Sequence, residues 1–386
     1  MPTVLRNPFV IGGYVSPIYF CDREAESDEL ISSILNSRNT AIISPRRMGK
    51  TGLIQHCFQN SAVEEKFLRF FVDIYATGSL KEFVFLLGKS IFTELKPKGK
   101  KFFDAFFSII TSLRPAFKLD PVSGMPVFDI GIGEIVKPEY TLEEIFNYLE
   151  SSDIPCVVAI DEFQQIEKYP EKNIEALLRT HIQKCTNTTF IFAGSQRSMM
   201  NNIFFSPSRP FYQSVSMINL NSIQPDAYRD FIISHMENGQ KRISEELIMP
   251  VYRIFEGHTW YIQNLFHRLY SMMNTGEVCT KQLMEQCLNT TVKSYEPMFE
   301  STVSLLSERQ RELLYAIAKE GKAYEITSSH FIRKHGLKSA STVQSALRLL
   351  LDNEFVSKEN DAYFVYDRFF GLWLAEKFGT GYSVFH

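Results

Sequence analysis

The sequence predicts an α/β core, then an all-helical stretch, then a C-terminal unit of helices closed by a short β-hairpin. Three observations carry that expectation. Short apolar runs alternate with helix-period segments as far as residue 221. From Ser222 to about residue 300 only helix-period segments remain, and from Ser307 three closely spaced helices lead into strand, turn and strand. The expected boundaries are 1–221, 222–300 and 301–386, with an insertion at about 79–135 inside the first.

A chain of 386 residues with 45% hydrophobic content is long enough for two or three domains and can bury a real core. Its net charge of −3 advertises neither nucleic acid nor an anionic membrane at the level of the whole chain, so any such partner must be met locally. The six cysteines form no C-x-x-C pair and no zinc-like spacing, and several lie inside apolar runs; they read as reduced core thiols. Met1-Pro2-Thr3-Val4 has neither a basic nor an apolar leader region, and no stretch approaches the ~20 apolar residues of a membrane helix. A cytoplasmic location without membrane contact is the expectation.

Asn7 to Phe20 is rich in glycine, proline and aromatics, and a helix follows with Leu30, Ile31, Ile34 and Leu35 on one face. Tyr19 and Phe20 are candidates for a wall against a nucleobase, or else pin this segment to the core. Ala41-Ile42-Ile43 is the first strand. It runs into Ser44-Pro45-Arg46-Arg47-Met48-Gly49-Lys50-Thr51, and a helix opens at Gly52-Leu53-Ile54. Strand, tight loop and helix are what a phosphate-binding loop requires, because a helix N-terminus presents unpaired N–H groups and partial positive charge. The pattern G-x-x-x-x-G-K-[ST] is met except at its first position, where Ser44 replaces glycine; Lys50 is placed for the β- and γ-phosphates and Thr51 for Mg²⁺.

Leu68 to Ile74 is a nearly continuous apolar run, as expected of a strand covered on both faces. Leu80 to Leu95 and Phe102 to Leu113 are helical in period, and 117–132 reads as a hairpin. Thr141-Leu142-Glu143-Glu144 has the form of a capping box opening a helix to Glu150. Pro155 to Ile160 then ends in Asp161-Glu162. Paired carboxylates at the C-terminal end of such a strand lie where ligands gather in open α/β sheets, with Asp161 on the metal and Glu162 polarising the attacking water. Thr188 to Ser195 is a fourth strand. Ser195 or Gln196 at its end is a candidate to orient the water or touch the γ-phosphate, or to cap a helix. Arg197 and Arg209 follow. Arg209, between prolines, suits an arginine finger acting in a neighbouring subunit, with a plain surface salt bridge as the default. Ser216 to Leu220 is the fifth strand.

Beyond Ser222 helices are expected over Pro225–His235, Glu245–Phe255, Tyr261–Met273 and Lys281–Lys293, a small helical lid. His258 and Trp260 stand where a lid meets nucleotide, although a tryptophan at a helix start is more commonly core. Helices at 308–319, 329–335 and 341–351, then strands at 355–358 and 362–366, make a winged helix. Its candidate recognition helix carries only Arg348, with Lys338 ahead of it and Asp352 and Glu354 at its end. So little positive charge favours protein contact or self-association over DNA.

The chain resembles a P-loop ATPase of the AAA+/STAND group, and within it the archaeal-type ATPase family with a C-terminal winged helix. The resemblance runs through Phe20-Cys21-Asp22-Arg23-Glu24, the proline-double-arginine phosphate loop, Ile160-Asp161-Glu162-Phe163-Gln164, Ala193-Gly194-Ser195, Gly257-His258-Thr259 and Tyr366 to Leu374. It implies a five-stranded parallel sheet with the phosphate-loop strand central, flanked by a helical lid. It also implies ATP with Mg²⁺, with Lys50 and Thr51 on phosphate and metal, Asp161 on metal, Glu162 as catalytic carboxylate and Ser195 as sensor. Three departures matter. Ser44 opens the loop, Thr259 stands where many relatives carry proline with no arginine beside it, and the family's usual arginine after the sensor is replaced around Gln213-Ser214, which leaves Arg209 as a substitute. The expectation is an ATPase acting on a protein or DNA client. The alternatives are a slow nucleotide switch and a DNA-bound regulator.

Overall fold

The computed structural model describes residues 5–95, 100–113, 117–119, 126–128 and 135–379. The chain forms two compact units, residues 12–222 and residues 5–11 with 223–379.

In the first unit α1 (Glu24–Leu35) and β1 (Thr40–Ile43) precede α2 (Lys50–Phe58), α3 (Ser61–Glu64) and β2 (Leu68–Asp73). Then come α4 (Leu80–Leu95), α5 (Lys100–Ile109), the strands β3 (Phe117–Leu119) and β4 (Pro126–Phe128), and α6 (Pro138–Ser151). β5 (Cys156–Asp161), α7 (Ile174–Lys184), β6 (Thr188–Gly194), α8 (Arg197–Phe205) and β7 (Ser216–Asn219) complete it. The main sheet has five strands in the order β2-β5-β6-β1-β7, every pair parallel. The phosphate-loop strand β1 is therefore interior, between β6 and β7, while the central place the resemblance implies for it is held by β6. β3 and β4 pair antiparallel in the insertion, and the turn expected between them lies outside the described residues.

The interior strands β1, β5 and β6 are buried at every position, whereas the edge strands β2, expected to be covered on both faces, and β7 alternate between buried and more exposed residues. Val158 and Ile160 of β5 pack with the α4, α6 and α8 side chains, while Val157 and Ala159 face the α1 and α2 side, so alternate residues feed two cores. One boundary differs in kind from the expectation. α6 begins at Pro138, so Thr141 is a buried residue of its first turn rather than a cap. The reason is local: a proline at the first helical position starts the helix, while Thr141 Oγ1 accepts from Ser112 Oγ at 2.9 Å and Glu144 accepts from the backbone N–H and hydroxyl groups of Thr111 and Ser112.

The second unit holds α9 (Pro225–Asn238), α10 (Glu245–Ile254), α11 (Thr259–Met272), α12 (Lys281–Ser294) and α13 (Glu296–Ser304). The winged helix follows as α14 (Glu308–Glu320), α15 (Ser329–Lys334), α16 (Ala340–Asp352), β8 (Val356–Glu359), β9 (Ala362–Val365) and α17 (Arg368–Phe378). β8 and β9 pair antiparallel, and Ala323 bridges Tyr363 as a third edge of the wing. Lid and winged helix form one body instead of two, because α17 packs on both α12 and α14, and Phe369 stacks on Tyr295 at 5.5 Å. The segment 5–11, assigned to the core from sequence, also belongs here. Phe9 is 1% exposed among Phe231, Phe266 and Tyr270, and its carbonyl accepts from His267 Nδ1 at 2.7 Å.

No helix among the described residues is long and apolar enough to cross a membrane. The six cysteines are free thiols, all buried except the half-buried Cys185, and burial pushes Cys57 and Cys156 up to about 12.

Candidate functional site

β1 ends at Ile43 and α2 starts at Lys50, so the loop 44–49 joins the end of an interior strand to a helix N-terminus. Gly49 has φ +94° and Arg47 φ +69°, and these two left-handed residues turn the chain into α2. Ser44 is absent from the positive-φ residues, so the first loop position here needs no glycine. It is fully buried, with its N–H on Gly194 O at 3.3 Å and its hydroxyl on Pro45 O at 3.0 Å. Met48 is 3% exposed and sits in the α1–α2 core. Arg46 lies over the Tyr75 ring at 5.2 Å.

Lys50 is 6% exposed, and its ammonium donates to Ser44 O at 3.3 Å and Pro45 O at 3.4 Å. Burial lowers its pKa, against the opposing pull of the Glu162 and Asp161 carboxylates. Thr51 Oγ1 donates to Asp161 Oδ2 at 2.6 Å. Asp161, 5% exposed, is raised above the usual carboxylate range by burial, despite that bond and the charge of Lys50. Thus the loop and the end of β5, 110 residues apart, meet through side chains.

Glu162 has φ +57°, a left-handed setting that a non-glycine residue takes only when held. Its Oε2 accepts from Ser195 Oγ at 2.6 Å and from Gln164 Nε2 at 2.5 Å, so the two strand ends, β5 and β6, are joined as the first two are. Gln196 and Arg197 begin the next helix, and Arg197 is exposed. The structure thus gathers Ser44, Lys50, Thr51, Asp161, Glu162 and Ser195 at the carboxyl edge of one sheet.

Other expected residues fall elsewhere. Arg209 is not a freely presented arginine: its Nη2 is paired with both Glu167 and Glu175, and its side chain is 27% exposed. Phe20 stacks on His56 at 4.6 Å and meets Tyr14 edge-on at 5.6 Å, with a Cβ on Gly52 only 3.4 Å from its ring, so its ring lies beside the first turn of α2. In the helical unit His258 Nδ1 contacts Phe255 O at 2.9 Å, and Trp260 packs edge-on to Phe369 at 6.0 Å. Lys338 and Arg348 are exposed, and Arg348 lies 3.8 Å from Asp352, its one ion-pair partner among the described residues.

Residues 20–265 match the family model described as an ATPase domain predominantly from Archaea. The chain belongs to that family. Residues 297–376 of this archaeal-type ATPase match a second model, a probable winged helix domain. Among solved structures, the Walker-type ATPase PABY2304 of Pyrococcus abyssi superposes with a TM-score of 0.64 at 17% identity, covering 95% of this chain and 99% of that one. The Aeropyrum pernix ORC2 protein, in its ADPNP–ADP complexes, gives 0.58 at 12% identity over 97% of each chain. The A. pernix ORC1 protein in complex with DNA gives 0.52 at 12% identity over 96% of each. At such identities the likeness establishes the P-loop ATPase fold with its winged helix. No curated protein matches the sequence.

Two residues of this ATPase were quoted as motif positions without a role. Arg23 is 4% exposed with φ +81°. Its guanidinium donates to Asn221 O at 2.5 Å and Met48 O at 3.5 Å and pairs with Glu26 at 2.8 Å, bracing the phosphate loop from behind. Gln164 is the other. No local signal marked either, since Arg23 stands in the charged run Asp22 to Glu29 and Gln164 between Glu162 and Gln165.

Proposed function

We propose that this chain is a magnesium-dependent ATPase that couples ATP binding and hydrolysis to movement of its lid and winged-helix elements toward a protein or DNA client. The observation that carries the reading is the convergence just described, with Thr51 2.6 Å from Asp161 and Ser195 2.6 Å from Glu162 at one sheet edge. Loop amides of residues 46–49 and of Gly52, at the N-terminus of α2, hold the phosphates beside the turn that Pro45 stiffens, and Lys50 leaves the Ser44 and Pro45 carbonyls to reach the β- and γ-oxygens. Arg46 and Arg47 add positive charge at the loop mouth, and Phe20 forms the wall toward the adenine.

Thr51 and Asp161 offer neighbouring hard oxygen donors, which is the donor set magnesium takes alongside phosphate oxygens and water, so the residues present fit the ion. Bound there, it neutralises charge that develops on the β- and γ-oxygens. Glu162 orients the attacking water and takes up its proton, while Ser195 donates to the terminal phosphate. Measured with ATP and magnesium, Glu162→Gln is expected to lower turnover ~100-fold or more while ATP affinity is kept. Absence of measurable turnover in both wild type and variant would overturn the ATPase reading.

Two observations favour the second reading, a nucleotide switch with slow turnover. The Glu162 carboxylate is already engaged by Gln164 and Ser195, and Arg209 is paired within its own chain. Tight ATP binding with an ATP-dependent change in association state, and no turnover, is the result that reading requires. For the client, the scarcity of positive charge on α16, where Arg348 is the one cation, favours protein contact. The DNA in the A. pernix ORC1 complex supports the DNA branch.

A further inference from the structure

Gln164 is 3% exposed, in the 3₁₀ turn Phe163–Lys168 that follows β5. Its Nε2 lies 2.5 Å from Glu162 Oε2 and 3.4 Å from Ser195 Oγ, while Ser195 Oγ donates to the same carboxylate oxygen. The atom facing Glu162 must be the amide nitrogen, since an amide oxygen at that distance would oppose lone pair to lone pair. At the other end Oε1 is buried without a hydrogen-bond partner among the described residues, wedged against Gly194, where a Cβ would stand 2.5 Å from it and 2.3 Å from Met200 Sδ. Leaving a buried amide oxygen unpaired is unfavourable, and the packing around Gly194 and Met200 supplies no polar return for it. What the side chain contributes must therefore come from its N–H groups.

Hydrogen counting says what that is. Ser195 has one hydroxyl proton and spends it on Glu162, so a phosphate oxygen approaching Ser195 competes with Glu162 for it. The Gln164 amide has two protons. One stays on Glu162 while the other faces the Ser195 oxygen, which accepts as its own proton turns away. Glu162 sits at a left-handed φ, and among the described residues its carboxylate has no side-chain hydrogen-bond donor beyond Gln164 and Ser195, so without Gln164 it would be released whenever Ser195 served the nucleotide.

We propose that Gln164 is the positioning residue of this site: its amide keeps the Glu162 carboxylate in place while the Ser195 hydroxyl transfers its hydrogen bond to the terminal phosphate of ATP. This rests on the ATPase reading. The test compares turnover and calorimetric ATP affinity in the full chain for wild type, Glu162→Gln, Gln164→Leu and Gln164→Glu. Gln164→Leu should bind ATP within about threefold of wild type and lose ~10–100-fold in kcat, the size of effect a misplaced reacting group produces. Gln164→Glu keeps the shape but sets two carboxylates in contact, which cannot both ionise. Its kcat should fall as pH rises through the pair's apparent pKa and recover on acidification, an alkaline limb that wild type lacks. That variant decides the matter alone should Gln164→Leu fail to fold. Turnover abolished by Glu162→Gln but unchanged in Gln164→Leu, or a Gln164→Glu pH profile parallel to wild type, would overturn this inference while leaving the ATPase reading intact. A wild type without turnover would overturn that reading itself.

Discussion

The carboxyl edge of the sheet and the surface of the winged helix hold their charged groups in opposite circumstances. At the sheet edge Lys50, Asp161 and Arg23 are between 4% and 6% exposed, and each is held by named partners. On the winged helix Lys338, Arg348 and Asp352 stand in solvent, and the Arg348–Asp352 pair is 3.8 Å apart. Burying a charge costs several kcal/mol unless it is compensated, whereas an exposed pair contributes close to nothing. The buried set therefore needs a reason to persist, and an anionic ligand that takes over the Lys50 ammonium is one. The exposed set needs none, and tells little about what the winged helix touches.

Lys50→Ala tests the comparison most severely. If Lys50 is buried in order to meet a triphosphate, removing it should weaken ATP·Mg²⁺ binding by about 2–5 kcal/mol, upwards of thirtyfold, as read by calorimetry. An affinity equal to wild type would mean that this ammonium only braces the Ser44 and Pro45 carbonyls.

The second test uses pH. Burial raises the Asp161 pKa in the folded chain above the unfolded value, so the folded state holds that proton more tightly. Its stability penalty is absent below the unfolded carboxylate range, about pH 4, grows as pH rises through the folded pKa, and is complete above it. Asp161→Asn removes the penalty. In the absence of nucleotide its unfolding midpoint should exceed wild type by ~2–4 °C at pH 7, with the gap closing on acidification toward pH 4, while magnesium-dependent turnover is lost. A midpoint at or below wild type at pH 7 would show that the Thr51–Asp161 contact is structural.

How far the sequence alone reached follows the same division. The five strands were legible because a parallel sheet covered on both faces is written as continuous apolar runs such as Cys156 to Ile160, and the phosphate loop because its spacing is local. Partnerships across the chain were not. Arg23 meets Asn221 198 residues away, and Arg209 meets Glu167 and Glu175, so an arginine that reads as exposed between prolines turns out to be paired. At α6 a local pattern misled: Thr141 has the spacing of a capping box, but Pro138 starts the helix three residues earlier. Phe9 was unreadable for a simpler reason, since an aromatic in a glycine- and proline-rich segment without helix or strand period carries no sign of which core it enters.

The smallest expected effect belongs to the winged helix. Because Arg348 and Lys338 are exposed and Arg348 has only a distant i,i+4 partner, the double variant Arg348→Ala with Lys338→Ala should unfold within about 0.5 kcal/mol of wild type in denaturant titrations. Its binding properties then separate the two clients. If α16 reads DNA, wild type binds a duplex with a steep salt dependence, and each phosphate contact removed lowers the slope of log K against log salt by roughly one. If the face meets protein, duplex binding is weak and the substitutions leave it unchanged. A clear drop in slope would show that solvated charge on this unit carries function after all, and the contrast with the buried edge would then be one of mechanism, a pocket that holds its ligand against a surface that steers one.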